Sequence, residues 1–132
     1  MLTRGTTPYH NFTLPMKSED ISELYVAYLQ NGTVVLEKSL NDDGVTLVDI
    51  VDMYENAEIE ELNLSEEELS SSQLSVHLTQ EDTLKFIFYP AAKKNIAIIQ
   101  IRVLTSDGEA FASFPVKERI FGVLKEGVIG EE

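Results

Sequence analysis

The stretch ELYVAYLQNGTVVLEKSL, residues 23–40, decides the fold of this chain. It contains two runs rich in β-branched and aromatic residues, the composition that strands favour. Between them stands Asn31-Gly32, a dipeptide that tolerates the positive φ angles of a type I′ turn. Apolar residues occupy both faces of the first run, which indicates a strand covered on two sides, by a second sheet or by a partner. The stretch therefore predicts an antiparallel hairpin.

The same pattern recurs along the chain. NIAIIQIRVLTSDGEAFASFPV, residues 95–116, predicts a second hairpin that turns at Asp107-Gly108. The segments at 9–15 and 73–79 alternate apolar and polar residues as half-buried strands do. One short helix is expected to begin after Thr79, which is followed three residues later by an acid, as in a capping box. These elements predict an all-β fold, an antiparallel β-sandwich (immunoglobulin-like or jelly-roll-like) of about six to eight strands with one short helix.

The alternation also predicts which side chains form the core. Residues of one phase in each strand should meet between the two sheets. The predicted core consists of Phe12, Leu14, Leu24, Val26, Tyr28, Val34, Leu36, Leu74, Val76, Leu78, Leu84, Phe86, Ile99, Ile101 and Val103.

The 132 residues fit one domain, and no internal repeat or linker divides them. Within it we distinguish an N-terminal arm at 1–7, an acidic insertion at 49–72 and a C-terminal tail at 117–132. The tail carries enough apolar residues that it should pack on its own domain or on a neighbouring subunit.

The net charge of −13 is unevenly distributed. Residues 39–84 contain thirteen acids and no Lys or Arg, whereas the rest of the chain carries ten acids and ten bases. Such a surface repels nucleic-acid phosphates, so we expect no binding of nucleic acid. The simplest interpretation is a solvated acidic loop that keeps the protein soluble; the alternative is an interaction surface, because a long structureless loop in a small domain is uncommon.

Residues that carry chemistry are scarce. Cysteine is absent, which excludes disulfides and thiolate sites, and no apolar run is long enough for a membrane helix. We expect no secretion signal, because the first residues lack a charged segment followed by an apolar one. We interpret the two histidines, His10 and His77, as surface or cross-strand residues. The NDDG turn at 41–44 could bind calcium weakly, but it lacks the ligand spacing of an EF-hand. We therefore expect a protein that is not an enzyme, without catalytic, cofactor-binding or metal-binding residues.

Four segments together resemble a known family. These are RGTTPYHNFTLP at 4–15, VAYLQNGTVVLEK at 26–38, VHLTQEDTLKF at 76–86 and IQIRVLTSDGEAFAS at 99–113. In order and content they are similar to a family of small structural or accessory proteins from phages and prophages of clostridia-type Gram-positive bacteria. This chain differs from that family in its acidic insertion and its longer apolar tail.

The resemblance implies a protein of the virion, present in the host cytoplasm during assembly. It would be a capsid decoration protein or a tail or baseplate module, in many copies or as a homo-oligomer. Its partners would be other phage structural proteins, such as the major capsid or tail protein, with no nucleic acid and no membrane. The alternative is a free acidic phage regulatory protein that binds a basic host surface, which the uneven charge favours.

A docking role predicts which residues touch the partner. The arm is expected to lie extended on a neighbouring subunit, because Pro8 disfavours helix before it and two threonines stiffen the chain. The alternative is that the arm completes its own sheet. The predicted partner-binding residues are Arg4, Thr6 and Thr7 of the arm, with Ile120, Phe121 and Leu124 of the tail.

Overall fold

The chain folds into two β-sheets that face each other. The structure, a computed structural model, describes residues 2–54, 65–92, 95–113, 115–123 and 127–130. Its strands are β1 (Leu2–Thr3), β2 (Tyr9–Leu14), β3 (Ile21–Gln30), β4 (Thr33–Ser39), β5 (Val45–Asp49), β6 (Ser72–His77), β7 (Ile96–Thr105), β8 (Ala110–Ala112) and β9 (Val116–Phe121). Two short α-helices, α1 (Glu66–Leu69) and α2 (Gln80–Leu84), and 3₁₀ turns at Ser18–Asp20 and Ile50–Tyr54 lie between them.

The larger sheet has the order β1-β9-β7-β3-β4, and the smaller sheet the order β2-β6-β5. Strand β8 pairs with the second half of β7, beside β9 on the same edge. All pairings are antiparallel except that of β1 with β9. The predicted all-β, sandwich-like class is confirmed.

The first hairpin forms as predicted. Strands β3 and β4 pair antiparallel, and Gln30 faces Thr33 across the turn. Asn31 and Gly32 have φ angles of 53° and 78°. Both lie in the left-handed region that a type I′ turn requires, so the turn chemistry read from the sequence is the one used.

A bulge corrects one residue of the predicted core. Tyr28 pairs with Leu36 but Leu29 pairs with Val34, so Val35 is an extra residue in β4. The extra residue turns Val34, the position before it, to the opposite face, because side chains alternate along a strand. Val34 is consequently 52% exposed, whereas Val35 packs against the core. The prediction that Val34 is buried is wrong.

The second hairpin also forms, with a longer loop than a two-residue turn. The amide of Gly108 donates to the Thr105 carbonyl (3.1 Å), and the amide of Thr105 donates to the Glu109 carbonyl (2.8 Å). The loop therefore contains three residues, 106–108. Gly108 has φ 91°, which fits a type I turn closed by a left-handed glycine.

The acidic insertion connects two neighbouring strands, β5 and β6, of the smaller sheet. Its beginning is the 3₁₀ turn Ile50–Tyr54, and its end is α1. Ser65 and Glu68 form a capping box where α1 begins. Residues 55–64 of the insertion lie outside the described residues.

The core lies between the sheets and contains most of the predicted residues. Phe12 and Leu84 are half-buried rather than fully buried. The buried apolar side chains are Leu2, Leu14, Ile21, Leu24, Val26, Tyr28, Leu36, Val45, Leu74, Val76, Leu78, Phe86, Ala97, Ile99, Ile101, Val103 and Ile120.

Helix α2 begins where the sequence predicts it. Thr79 and Asp82 form a capping box. The Asp82 carboxylate also forms an ion pair with Lys38, whose Nζ lies 2.9 Å away. Burial alone would raise the pKa of Asp82. The hydrogen bond from the Thr79 amide and the charge of Lys38 lower it by more, so the pKa lies below its ordinary value. The ion pair ties α2 to the end of β4. Among the described helices, none has the length and apolar character needed to cross a membrane.

Candidate functional site: an open cleft beside strand β2

A cleft of about 1250 Å³ opens between the two sheets on one side of the molecule. One wall is β2 of the smaller sheet, and the other consists of β7, β8 and the start of β9 in the larger sheet. Its described lining residues are Tyr9, His10, Asn11, Phe12, Thr13, Leu14, Pro15, Met16, Asp20, Ile101, Val103, Thr105, Ser106, Asp107, Glu109, Phe111, Ala112, Ser113, Val116 and Glu118. All six residues of β2 line the cleft, although alternate side chains of a strand point to opposite faces. The strand therefore presents its edge to the cleft, not one of its faces.

The outer edge of β2 carries backbone groups that have no strand beside them. The Leu78 amide donates to the Pro8 carbonyl (3.0 Å), which shows that position 8 and every second residue after it bond to β6. The alternate residues Tyr9, Asn11 and Thr13 therefore direct their N–H and C=O groups away from β6. Within the described ranges, no strand pairs with that edge.

The opposite wall exposes apolar side chains. Phe111 of β8 pairs with Val103 and shares its face, which points between the sheets. Val103 is buried, but Phe111 is 48% exposed, since the smaller sheet does not extend over it. Val116, which pairs with the buried Ile99, is 39% exposed for the same reason. We call this apolar, solvent-exposed part of the larger sheet, with Phe111 and Val116, the floor of the cleft.

Carboxylates stand at both ends of the cleft. Asp20, Asp107 and Glu109 lie near one end, where the amide of Ser106 donates to the Asp20 carbonyl (2.9 Å). Glu118 lies at the other end. A hydrogen bond from the Thr105 hydroxyl lowers the pKa of Asp107 below its ordinary value. Among the described residues that line the cleft, none is Lys or Arg, so its rim is uniformly acidic.

A buried polar contact lies beside the cleft, behind β2. His10 is only 7% exposed, and its Nδ1 lies 2.8 Å from the Tyr28 hydroxyl. Burial, followed by the charges of Glu118 and Asp82, raises the pKa of Tyr28, so its hydroxyl stays protonated. His10 is therefore an interior residue and not a surface one, because β2 turns it toward the second sheet. His77 is cross-strand as predicted.

The two aromatic rings at the start of β2 and the end of β6 stack on each other. Tyr9 pairs with His77, and their ring centroids are 4.0 Å apart with nearly parallel planes. Tyr9 is nevertheless 65% exposed. An aromatic ring held in place by stacking and left open on its other side is a ready contact for a partner.

The arm lies on the chain's own sheet. Leu2 and Thr3 pair with β9, and Leu2 is fully buried. Arg4 donates from Nε to the Phe86 carbonyl at 2.6 Å, and the Thr83 hydroxyl donates to the Thr6 carbonyl at 2.9 Å. This is the alternative in which the arm completes its own sheet.

The other predicted partner residues divide into three groups. Thr6 and Thr7 are exposed where the chain enters β2. Ile120 is 1% exposed in the core, so its side chain is not available to a partner, and Phe121 is half-buried with the Arg119 guanidinium 5.6 Å from its ring centroid. Leu124 lies outside the described residues.

The outer face of the larger sheet carries a second apolar surface. Val34, Leu29 and Ile98 form one row across three strands. Val34 and Ile98 are 52% and 36% exposed. This row matches the sequence observation that both faces of the first hairpin are apolar.

The described side chains contain no group of three or more His, Asp or Glu residues that could hold a metal ion. In the NDDG turn, the Asp42 carboxylate accepts the Ser39 amide at 2.7 Å, which gives that acid a structural role. The cleft itself was missed by sequence reasoning; the only signal for it was the lack of a charged or proline residue inside β2.

Comparison with protein-family models, with curated proteins and with solved structures found no match for this chain.

Proposed function

We propose that this chain is a non-enzymatic structural or accessory protein of a phage particle, which binds in many copies to a repeating protein lattice. The observation that carries the proposal is the cleft beside β2, where an unpaired strand edge and exposed apolar side chains lie together. A free edge of this kind is a surface for pairing with another chain. The resemblance of the four sequence segments supplies the phage context.

A position outside the packaged DNA is favoured. The acids of residues 39–84 and the acidic rim of the cleft would be repelled by DNA phosphates. We therefore favour a decoration protein on the outside of the head, or a tail or baseplate module. Thr6 and Thr7, exposed just before β2, belong to the proposed docking surface. A role of Arg4 in docking stays a prediction.

A second candidate function rests on the same charges. A free acidic protein could occupy a basic surface of a host protein, and the absence of Lys and Arg from residues 39–84 favours that role. Such a protein would be made during infection and left behind when particles are released.

The two functions differ in what purified particles contain. Quantitative mass spectrometry of particles separated on a density gradient should find this chain in dozens to hundreds of copies, in a fixed ratio to the major capsid or tail protein. The control is the lysate that remains after particles are removed. If the chain occurs only in the lysate, the particle function is wrong and the free acidic protein is supported.

A further inference from the structure

The backbone of β2 requires a particular kind of occupant. The N–H and C=O groups of Tyr9, Asn11 and Thr13 point into the cleft, and another strand satisfies such a row with the spacing it needs. Strand β2 has six residues, so an added strand would run for ~20 Å beside it. A compact ligand would leave most of these groups without a partner.

The other outer strands are protected against pairing in ways that β2 is not. Strand β4 contains a bulge and the charged residues Glu37 and Lys38, both of which discourage edge pairing. Strand β5 ends in Asp49, whose carboxylate accepts the Ser18 amide at 2.7 Å. Strand β2, YHNFTL, has no charged residue, no proline and no bulge. Strands β1 and β8 also lie at sheet edges but have only two and three residues, so β2 offers the longest unprotected edge among the described strands.

The lining of the cleft specifies the side chains of the occupant. In an added strand, every second side chain would face the exposed apolar side chains of the floor, Phe111 and Val116. The remaining side chains and the ends of the segment would meet Asp20, Glu109 and the other acids of the rim. A segment in which apolar residues alternate with Lys or Arg fits this lining, because its apolar side chains match the floor and its basic side chains match the acidic rim.

A second copy of this chain fits poorly. Pairing two β2 edges would bring two acidic rims together, and each copy carries a net charge of −13. Like charges placed face to face oppose association.

We propose that β2 and its cleft take up an extended segment of a partner protein, in which apolar residues alternate with Lys or Arg, as an added strand. This inference rests on the proposed function only in treating the chain as a binding module. Its test uses the purified chain, so its failure would leave the question of particle membership to mass spectrometry.

The test uses three labelled peptides of about eight residues, long enough to span the six residues of β2. One alternates Val with Lys, the second alternates Val with Glu, and the third repeats the first with alternate backbone nitrogens methylated. Fluorescence anisotropy at low salt should show binding of the first peptide at least about tenfold tighter than that of the other two. Equal binding of all three, or no saturable binding of the first, would overturn the proposal.

Variants of the chain locate the binding. Thr13→Pro removes an outward N–H without removing a bond to β6, and should weaken binding of the Val-Lys peptide about tenfold or more. Thr13→Val keeps the N–H and is the matched control, so it should bind the Val-Lys peptide at least about fivefold more tightly than Thr13→Pro does. Neutralising the rim with Asp20→Asn and Glu109→Gln should weaken binding about fivefold. Unchanged affinity in both Thr13→Pro and the neutralised variant would refute the assignment to this cleft.

Non-specific attraction to an acidic protein needs its own control. Glu66→Gln with Glu67→Gln removes the same amount of charge from α1, whose carboxylates are exposed and outside the cleft. It should leave affinity unchanged. If this pair and the rim pair lose the same amount of peptide affinity, the peptide responds to the net charge of the protein and not to the cleft, which would contradict the proposal.

Hydrogen exchange on the unaltered chain decides the matter if Thr13→Pro does not fold. The amides of Asn11 and Thr13 should exchange rapidly in the free protein and slowly with the Val-Lys peptide bound. No added protection at these amides would contradict strand addition. Sedimentation of the chain alone as a dimer, with Asn11 and Thr13 protected, would identify a second copy as the occupant and overturn the proposed partner.

Discussion

Removal of residues 1–7 should unfold the protein, because the arm is part of the sheet and its core. Leu2 is completely buried, and truncation of a buried Leu costs about 3 kcal/mol. The Arg4 guanidinium bonds the carbonyls of Phe86 (2.6 Å) and Leu84 (3.4 Å), and loss of bonds from a charged group costs about 2 kcal/mol. The two losses are comparable to the lower end of the ~5–15 kcal/mol that stabilises a typical domain.

Single substitutions make this loss measurable while the protein stays folded. Leu2→Ala should lower the midpoint of equilibrium urea unfolding by about 1–2 M, given the slope typical of a small domain. Thr7→Ala is the control, since Thr7 is exposed and its substitution should change the free energy of unfolding by less than about 0.5 kcal/mol. Far-ultraviolet circular dichroism of the protein without residues 1–7 should show loss of the β spectrum.

The opposite result is equally informative. A shortened protein that keeps the urea midpoint of the full chain would refute the argument from burial and hydrogen bonding. If that shortened protein also failed to enter particles, the arm would act in assembly, as the docking interpretation of the sequence predicts.

Three further predictions follow from local geometry. Gly44→Ala should lower the free energy of unfolding by more than about 2 kcal/mol, because its Cβ would lie 2.5 Å from the His77 carbonyl oxygen. Gly32→Ala is the control in thermal or urea unfolding: it has a similar φ but open space, and should cost only about 1 kcal/mol. Equal costs would contradict this reasoning. Leu36→Ala should cost ~2–4 kcal/mol and Val34→Ala less than about 1 kcal/mol, and the reverse order would refute the bulge. The folded pKa of Asp82 lies below its ordinary value of 3.8, so its stabilisation is complete above that value and is lost as pH falls through the folded pKa; Asp82→Asn should flatten the acid limb of a stability–pH curve, and an unchanged limb would contradict the assignment.

Much of the fold could be predicted because its signals are local. The dipeptide Asn31-Gly32 favours the positive φ angles of its turn whatever the strands around it do. The alternation within β3 and within β7 likewise identifies the buried face of each strand. Val34 was misassigned because a bulge depends on how two strands pair, which periodicity within one strand does not report. The burial of His10 was missed for a similar reason: its partner, Tyr28, comes from the other sheet.

The cleft could not be predicted because alternation reports the faces of a strand and not its edges. The sequence of β2 shows which side chains point inward, but whether a strand lies beside it depends on the order β2-β6-β5. The same holds for β8, whose three residues are all exposed although Phe111 faces inward. The acids provide the connection between this edge and its proposed partner. An unprotected edge would favour pairing between copies, and a rim of like charge opposes that pairing while attracting a basic segment. The acidic rim thus replaces the lysines, prolines and bulges that protect other edges, and it does so without closing β2 to a partner.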